Sequence, residues 1–208
     1  MIMSVHDLQY RPLRAGTSIM NGRMSEPGTL GFIGHDAAGA AWIVSCYHVL
    51  CDTGLGPYVS DDAVFQPAAA AAENRVAVTS RTKADAALDC AAAKIDPGIA
   101  VTNAMLGIGD LAGVNAAAVG MRVVKSGGES GITEGVVTAV SATQISVRVD
   151  PTFPLTYELS APGDSGSAWL EQGTRKVVAL HRGLQTPKQA VAVAIQAVLA
   201  SLQLVLLA

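Results

Sequence analysis

A chain of 208 residues that is half hydrophobic and only 15% charged can bury a full core, which excludes a disordered chain. A formal charge of -3 leaves no basic footprint, so nucleic acid is not an expected partner. The cysteines, Cys46, Cys51 and Cys90, are odd in number and lack zinc-type spacing. Three reduced thiols in a cytoplasmic protein are therefore expected, with a Cys46–Cys51 bridge as the alternative, and no metal or cofactor.

The opening residues, MIMSVHDLQYRPLRAG, have no basic head followed by an apolar run, so no signal peptide is expected. Twenty-one glycines and nine prolines favour short strands and tight turns. GTLGFIG (28–34), the turn HDAAG and AAWIVSCYHVL (40–50) read as a hairpin leading into His48. RVAVTS (75–80) and CAAAKI (90–95) are the next strands, and the alanine run 68–72 is a loop or short helix. Residues 103–115 have weaker periodicity and read as a connector. A second series follows: AAVGMRVVKSG, GITEGVVTAVS, QISVRVD, TYELSA, GSAWLEQG and RKVVALHRG. Closely spaced strands without long helices imply an antiparallel barrel or sandwich. The uncharged stretch from Gln189 onward is broken by Gln196, Ser201 and Gln203. It divides into a buried strand, AVAVAI, and a helix with an apolar face, in preference to a membrane anchor.

Three residue types stand out in chemical order. His48 closes an apolar strand and is the candidate base. Two acids, Asp85 and Asp89, precede apolar runs. Asp89 opens the buried strand CAAAKI and is preferred as the group that orients the histidine, with Asp85 as the alternative. In PGDSGS, glycines 163 and 166 permit tight geometry around Ser165, the candidate nucleophile. The N–H groups of Gly163 and Ser165 can converge there on a developing oxyanion. The pattern is not GxSxG, and no long helix follows, which disfavours an α/β-hydrolase elbow. KSGGESG is glycine-rich but lacks the phosphate-loop spacing.

Taken together, SCYHV, DCAAAKI, PGDSGSAWL and VVALHRG resemble the segments of the trypsin-like (chymotrypsin-fold) serine proteases, and in the family's His, Asp, Ser order. GTLGFIG and KSGGESGITEGVV resemble bacterial members, which include glutamyl endopeptidases. Val49 stands where secreted relatives carry a disulfide cysteine. The resemblance implies an all-β fold of two antiparallel β-barrels packed face to face, with a C-terminal helix. Residues 15–104 and 116–208 would be the two halves of one protease domain. It implies a serine endopeptidase with a polypeptide substrate, His48 as base, Asp89 as orienting acid, Ser165 as nucleophile, and the Gly163 and Ser165 amides as oxyanion hole.

Leu159 occupies the place where trypsin-type enzymes carry a specificity acid, so a preference for basic residues is not implied. Ser160 and His181 match positions where glutamyl-specific members bind an acidic side chain, and Arg182 would add positive charge. Asp164 matches an acid that pairs, in many relatives, with an amino terminus released by cleavage. No activation segment is evident here, and any activating partner is unknown. The competing readings are a non-catalytic or latent protein-binding module on the same fold, and an esterase using the same triad.

Overall fold

The computed structural model describes residues 4–24, 26–52 and 61–207. The first half contains Leu13–Ala15 (β1), Ser18–Asn21 (β2), Gly28–Thr29 (β3), Phe32–His35 (β4) and Ala41–Ser45 (β5). A single helical turn, Tyr47–Leu50 (α1), precedes Ala63–Phe65 (β6), Arg75–Asp85 (β7), Cys90–Ile95 (β8), Val101–Met105 (β9) and Gly109–Asp110 (β10). The second half contains Arg122–Gly127 (β11), Gly131–Val140 (β12), Gln144–Arg148 (β13), Ala168–Glu171 (β14), Val177–Thr186 (β15) and Gln189–Ala194 (β16). Helix Ile195–Leu202 (α2) and strand Val205–Leu206 (β17) follow.

The all-β reading holds, with one half more regular than the other. Strands β11-β12-β13-β16-β15-β14 close into an antiparallel barrel. The first half is an open eight-stranded sheet, β17-β4-β5-β8-β7-β6-β2-β3, accompanied by the small sheet β1-β9-β10. In that small sheet β1 runs parallel to β9, a departure from an all-antiparallel arrangement. The last strand, β17, pairs with β4 and so joins the first sheet although it follows the second barrel in sequence.

Local pattern explains most of these elements. Along β12, Thr133, Gly135 and Val137 point inward with period two. Strand β8 is buried at Cys90, Ala91, Ala92, Ala93 and Ile95, so its run of small residues packs on both faces. Helix α2 buries Ile195, Val198 and Leu202 on one face and ends at Gln203 in the left-handed conformation. Among the described residues no helix is long and apolar enough to cross a membrane. Two apolar cores result: one around Phe32, Ile43 and Leu50, the other around Val123, Ile145 and Trp169.

Several elements differ from the sequence reading. TYELSA is not a strand: Tyr157 N–H turns back to Pro154 O, and Lys188 Nζ donates to the carbonyls of Leu155 and Tyr157. Prolines on both sides favour such a loop. Residues 103–115 do contain strands, β9 and part of the β1-β9-β10 sheet, which lack an alternating apolar face and so give little periodic signal. His48 lies in α1, one turn beyond the strand that leads to it.

Candidate active site

The acid and the base come from two ends of neighbouring elements in the first sheet. Strand β5 ends at Ser45, and α1 then lifts His48 to the rim, where its side chain is 41% exposed. Asp89 sits in the turn between β7 and β8, with φ 59, a left-handed conformation that aspartate tolerates better than most residues. Its side chain is 9% exposed. His48 Nδ1 lies 2.8 Å from Asp89 Oδ2 and 3.0 Å from Oδ1, and the His48 backbone N–H donates to Oδ1 at 3.0 Å. An ionised carboxylate only accepts, so Nδ1 carries the proton and Nε2 of the neutral ring is the free base. Of the two candidate acids, Asp89 meets the histidine. Asp85 instead accepts from the N–H groups of Ala87 and Leu88 and from Ser201 Oγ at 2.6 Å, tying the β7–β8 turn to α2.

Ser165 reaches the same cleft from the second barrel. His48, Val49, Pro162, Gly163 and Ser165 line one pocket at the junction. The hydroxyl of Ser165 donates to Arg182 O at 3.3 Å, a long bond that leaves it free to turn toward the imidazole. Neither the Gly163 nor the Ser165 N–H donates to another group among the described residues. Thr29 carries the turn across the junction. Its N–H donates to Ser165 O and its Oγ1 to Gly163 O, both at 2.8 Å, and Gly128 N–H donates to the same Oγ1. Gly166 has φ +89, and a Cβ there would lie 1.9 Å from Ser45 Oγ, so only glycine fits.

Beneath the turn, Asp164 and Lys125 form a fully buried ion pair at 2.6 Å, with no exposure of either side chain. Oδ2 also accepts from Ser160 Oγ at 2.8 Å, Ala161 N–H at 3.1 Å and Ser130 Oγ. Oδ1 accepts from the N–H groups of Glu129 and Ser130. Burial works against this charge, yet Lys125 and Ser130 hold the Asp164 carboxyl well below its usual range. The charge partner of Asp164 is thus Lys125. Neither Lys125 nor Thr29 was singled out from sequence. A lysine inside the apolar strand VVKSG was the available signal for the first, since a buried ammonium needs a partner.

Ser160, His181 and Arg182 do not act as one cluster. Ser160 and His181 line a small cavity of about 200 Å³ beside Ser165, Gly183 and Leu184. His181 Nε2 is 2.8 Å from Ser160 Oγ. Burial and the nearby Lys125 charge push the His181 imidazole down to about 3, so it is neutral near pH 7. Ser160 gives its one hydroxyl proton to Asp164, so Nε2–H donates to Ser160 and His181 Nδ1 is a bare acceptor, buried without a partner. Arg182 points the other way, its Nε 3.3 Å from Asp89 Oδ2 and its side chain 49% exposed. Leu159, before this cavity, is buried in the second core with Trp169.

Cys46, His48 and Asp89 offer ligand atoms within 4.8 Å of one another and could hold a metal ion. The thiol opposes this: Cys46 Sγ donates to His181 O at 3.1 Å, and burial, aided by Asp89, raises it far above its ordinary value. No disulfide joins the three buried cysteines, which sets aside the Cys46–Cys51 bridge.

The family described as the trypsin-like peptidase domain matches residues 28–180. A search of curated protein sequences finds no match. Among solved structures, a Nocardiopsis protease is 17% identical, with 94% of this chain and 98% of that one covered and a TM-score of 0.69. A glutamic acid specific serine protease that uses a histidine triad in substrate binding is 18% identical, with 94% and 100% covered and a TM-score of 0.68. Cellulomonas bogoriensis chymotrypsin is 17% identical, with 93% and 97% covered and a TM-score of 0.62. At these identities the structures speak for the fold, and the family match speaks for the kind of protein. The matched span runs from β3 through α1, the β7–β8 turn and the GDSG turn into β15, and the chain belongs to the trypsin-like peptidase family of serine proteases.

Proposed function

We propose that this serine endopeptidase cleaves peptide bonds through His48, Asp89 and Ser165. The observation that carries the reading is the Asp89–His48 pair at 2.8 Å, its acid buried and its histidine lining the pocket that also holds Ser165. Ser165 Oγ attacks the carbonyl carbon while Nε2 takes its proton. Asp89 stabilises the imidazolium that results. The oxyanion accepts from the Gly163 and Ser165 amides, and losing one such donor costs about 10²–10³ in rate. Imidazolium then protonates the leaving amine, and water repeats the sequence on the acyl-enzyme. Labelling with a fluorophosphonate, followed by mass mapping, tests this. Label on Ser165 that vanishes in His48→Ala and in Ser165→Ala is expected. A well-folded protein that takes no label would favour the latent or binding-module reading instead.

The cavity beside Ser165 is the proposed receptor for the side chain before the scissile bond, and an acidic one is the proposed preference. Ser160 and His181 support it, because they bring polar groups into a small space otherwise lined by Ala161, Pro162, Gly183, Leu184 and Ser165. In the unliganded arrangement, however, Ser160 has already given its proton and His181 Nδ1 is bare. An acidic side chain therefore enters with a proton. Cleavage after Glu relative to Gln should rise as the pH is lowered. A ratio that is flat with pH, or preferential cleavage after Arg, would refute the preference.

A further inference from the structure

The two pockets on the substrate side border one strand, β15. The register of β15 against β16 shifts between His181 and Gly183, and there His181 lines the small cavity with Ser160 while Arg182 lines the larger cleft, about 640 Å³, that holds His48 and Asp89. Gly183 and Leu184 border both. The partner strand β14 pairs with β15 only over Val177–Leu180, while β16 continues along its other edge to Thr186. Gly166 and Ser167 extend that pairing to His181, and Ser165 Oγ reaches Arg182 O; beyond them no backbone pairing forms on the side of Ser165 among the described residues. An extended peptide added there would place successive side chains on alternate faces. If one residue fills the cavity of Ser160 and His181, its N-terminal neighbour faces Arg182.

Charge separates the two pockets. The small cavity has no cation among its lining residues. The cleft contains one, Arg182, together with Asp52 and Asp89. Asp89 is shared: its shorter contacts go to His48, and Arg182 Nε lies 3.3 Å from Oδ2. Half of the Arg182 side chain is exposed, and it lines the cleft. A half-exposed guanidinium has more N–H donors than one shared carboxylate can take, and its planar fork suits a second carboxylate.

We infer that Arg182 selects an acidic residue at the second position before the scissile bond. This rests on the peptidase reading and places an ionised substrate carboxylate in the cleft of Arg182, whereas an acid in the small cavity enters protonated. Arg182 is a specificity-determining residue: it touches the substrate side chain and leaves proton transfer to His48.

The test uses peptides that share the best-cleaved residue before the bond and carry Asp, Ala or Lys at the position before that. The wild type should cleave the Asp peptide about tenfold faster than the Ala peptide in kcat/KM, and the Lys peptide more slowly than either. In Arg182→Gln the Asp-to-Ala ratio, read within the same protein, should fall to about one. In Arg182→Glu the order should invert in favour of Lys. Cleavage that ignores this position in the wild type, or a preference for Asp that survives in Arg182→Gln, would overturn the assignment and leave the peptidase reading standing. Failure of the wild type to cut any peptide, together with no fluorophosphonate label, would remove both.

Discussion

Asp89 and Asp164 are both buried aspartates within the neighbourhood of Ser165, yet they are held in opposite ways. Asp89 sits at the rim of the open sheet, shared between a half-exposed imidazole and a half-exposed guanidinium. Asp164 lies under the closed barrel, where Lys125 and five further donor contacts saturate it. A carboxylate at a rim can answer a charge that appears during a reaction. A saturated one can only hold a shape. The open half of the molecule supplies adjustable chemistry, and the closed half supplies the fixed turn on which it operates.

Exchanging each acid for its amide should separate these roles. Asp89→Asn leaves space and fold intact but presents an N–H to Nδ1 or imposes the wrong tautomer, and kcat should fall by about 10⁴ with little change in urea midpoint. Asp164→Asn should act on stability. It strands Lys125 in the interior, and a loss of about 3–5 kcal/mol by urea denaturation is expected. A smaller effect sharpens the point: the double change Lys125→Met with Asp164→Leu should recover the part of that loss due to the stranded ammonium and not the part due to the five donors left without an acceptor, while activity stays low because the turn loses the acceptor that shapes it. Recovery of activity along with stability would mean that the network does not set the geometry of the turn.

Acid should find the closed half first. His181 stays neutral in the fold down to about pH 3, whereas the unfolded chain protonates it near pH 6.5. Between those values the unfolded state binds the extra proton, so stability is lost as pH falls, by about 1.4 kcal/mol per unit from this residue at most. Asp164, with its depressed carboxyl, adds a loss of the same sign once the pH drops below about 4. Denaturation profiles from pH 7 to 3 should slope in the wild type and flatten above pH 4 in His181→Gln. The smallest change is expected at the acid that does not meet the histidine. Asp85→Ala should cost about 1 kcal/mol through the lost bond to Ser201 and leave kcat/KM unaltered.

The comparison also shows what a sequence can reveal. Strand CAAAKI, the GDSG turn and the wide His, Asp, Ser spacing were readable because each is a local pattern, and the resemblance joined them into one site. Asp89 could be preferred to Asp85 because it opens a buried strand. Thr29 and Lys125 were not readable in this way. Their importance comes from partners across the junction, Thr29 on residues 128, 163 and 165 and Lys125 on residue 164, and no short-range pattern encodes those distances. Arg182 stands out in sequence as a cation beside His181, but its place next to Asp89 follows from a shift in the β15–β16 register, which only the fold supplies.

The pairing of β17 with β4 has a consequence for how the protein is made. Val205 and Leu206 complete a sheet whose other strands all precede residue 96. On the ribosome, the edge of β4 waits for the whole second barrel to be translated before its partner emerges. An unpaired edge held open that long is a template for pairing with other chains. Delay in synthesis over the second half should therefore favour aggregation more than the same delay placed early, and a chaperone that shields strand edges would matter most while residues 35 to 200 are being added.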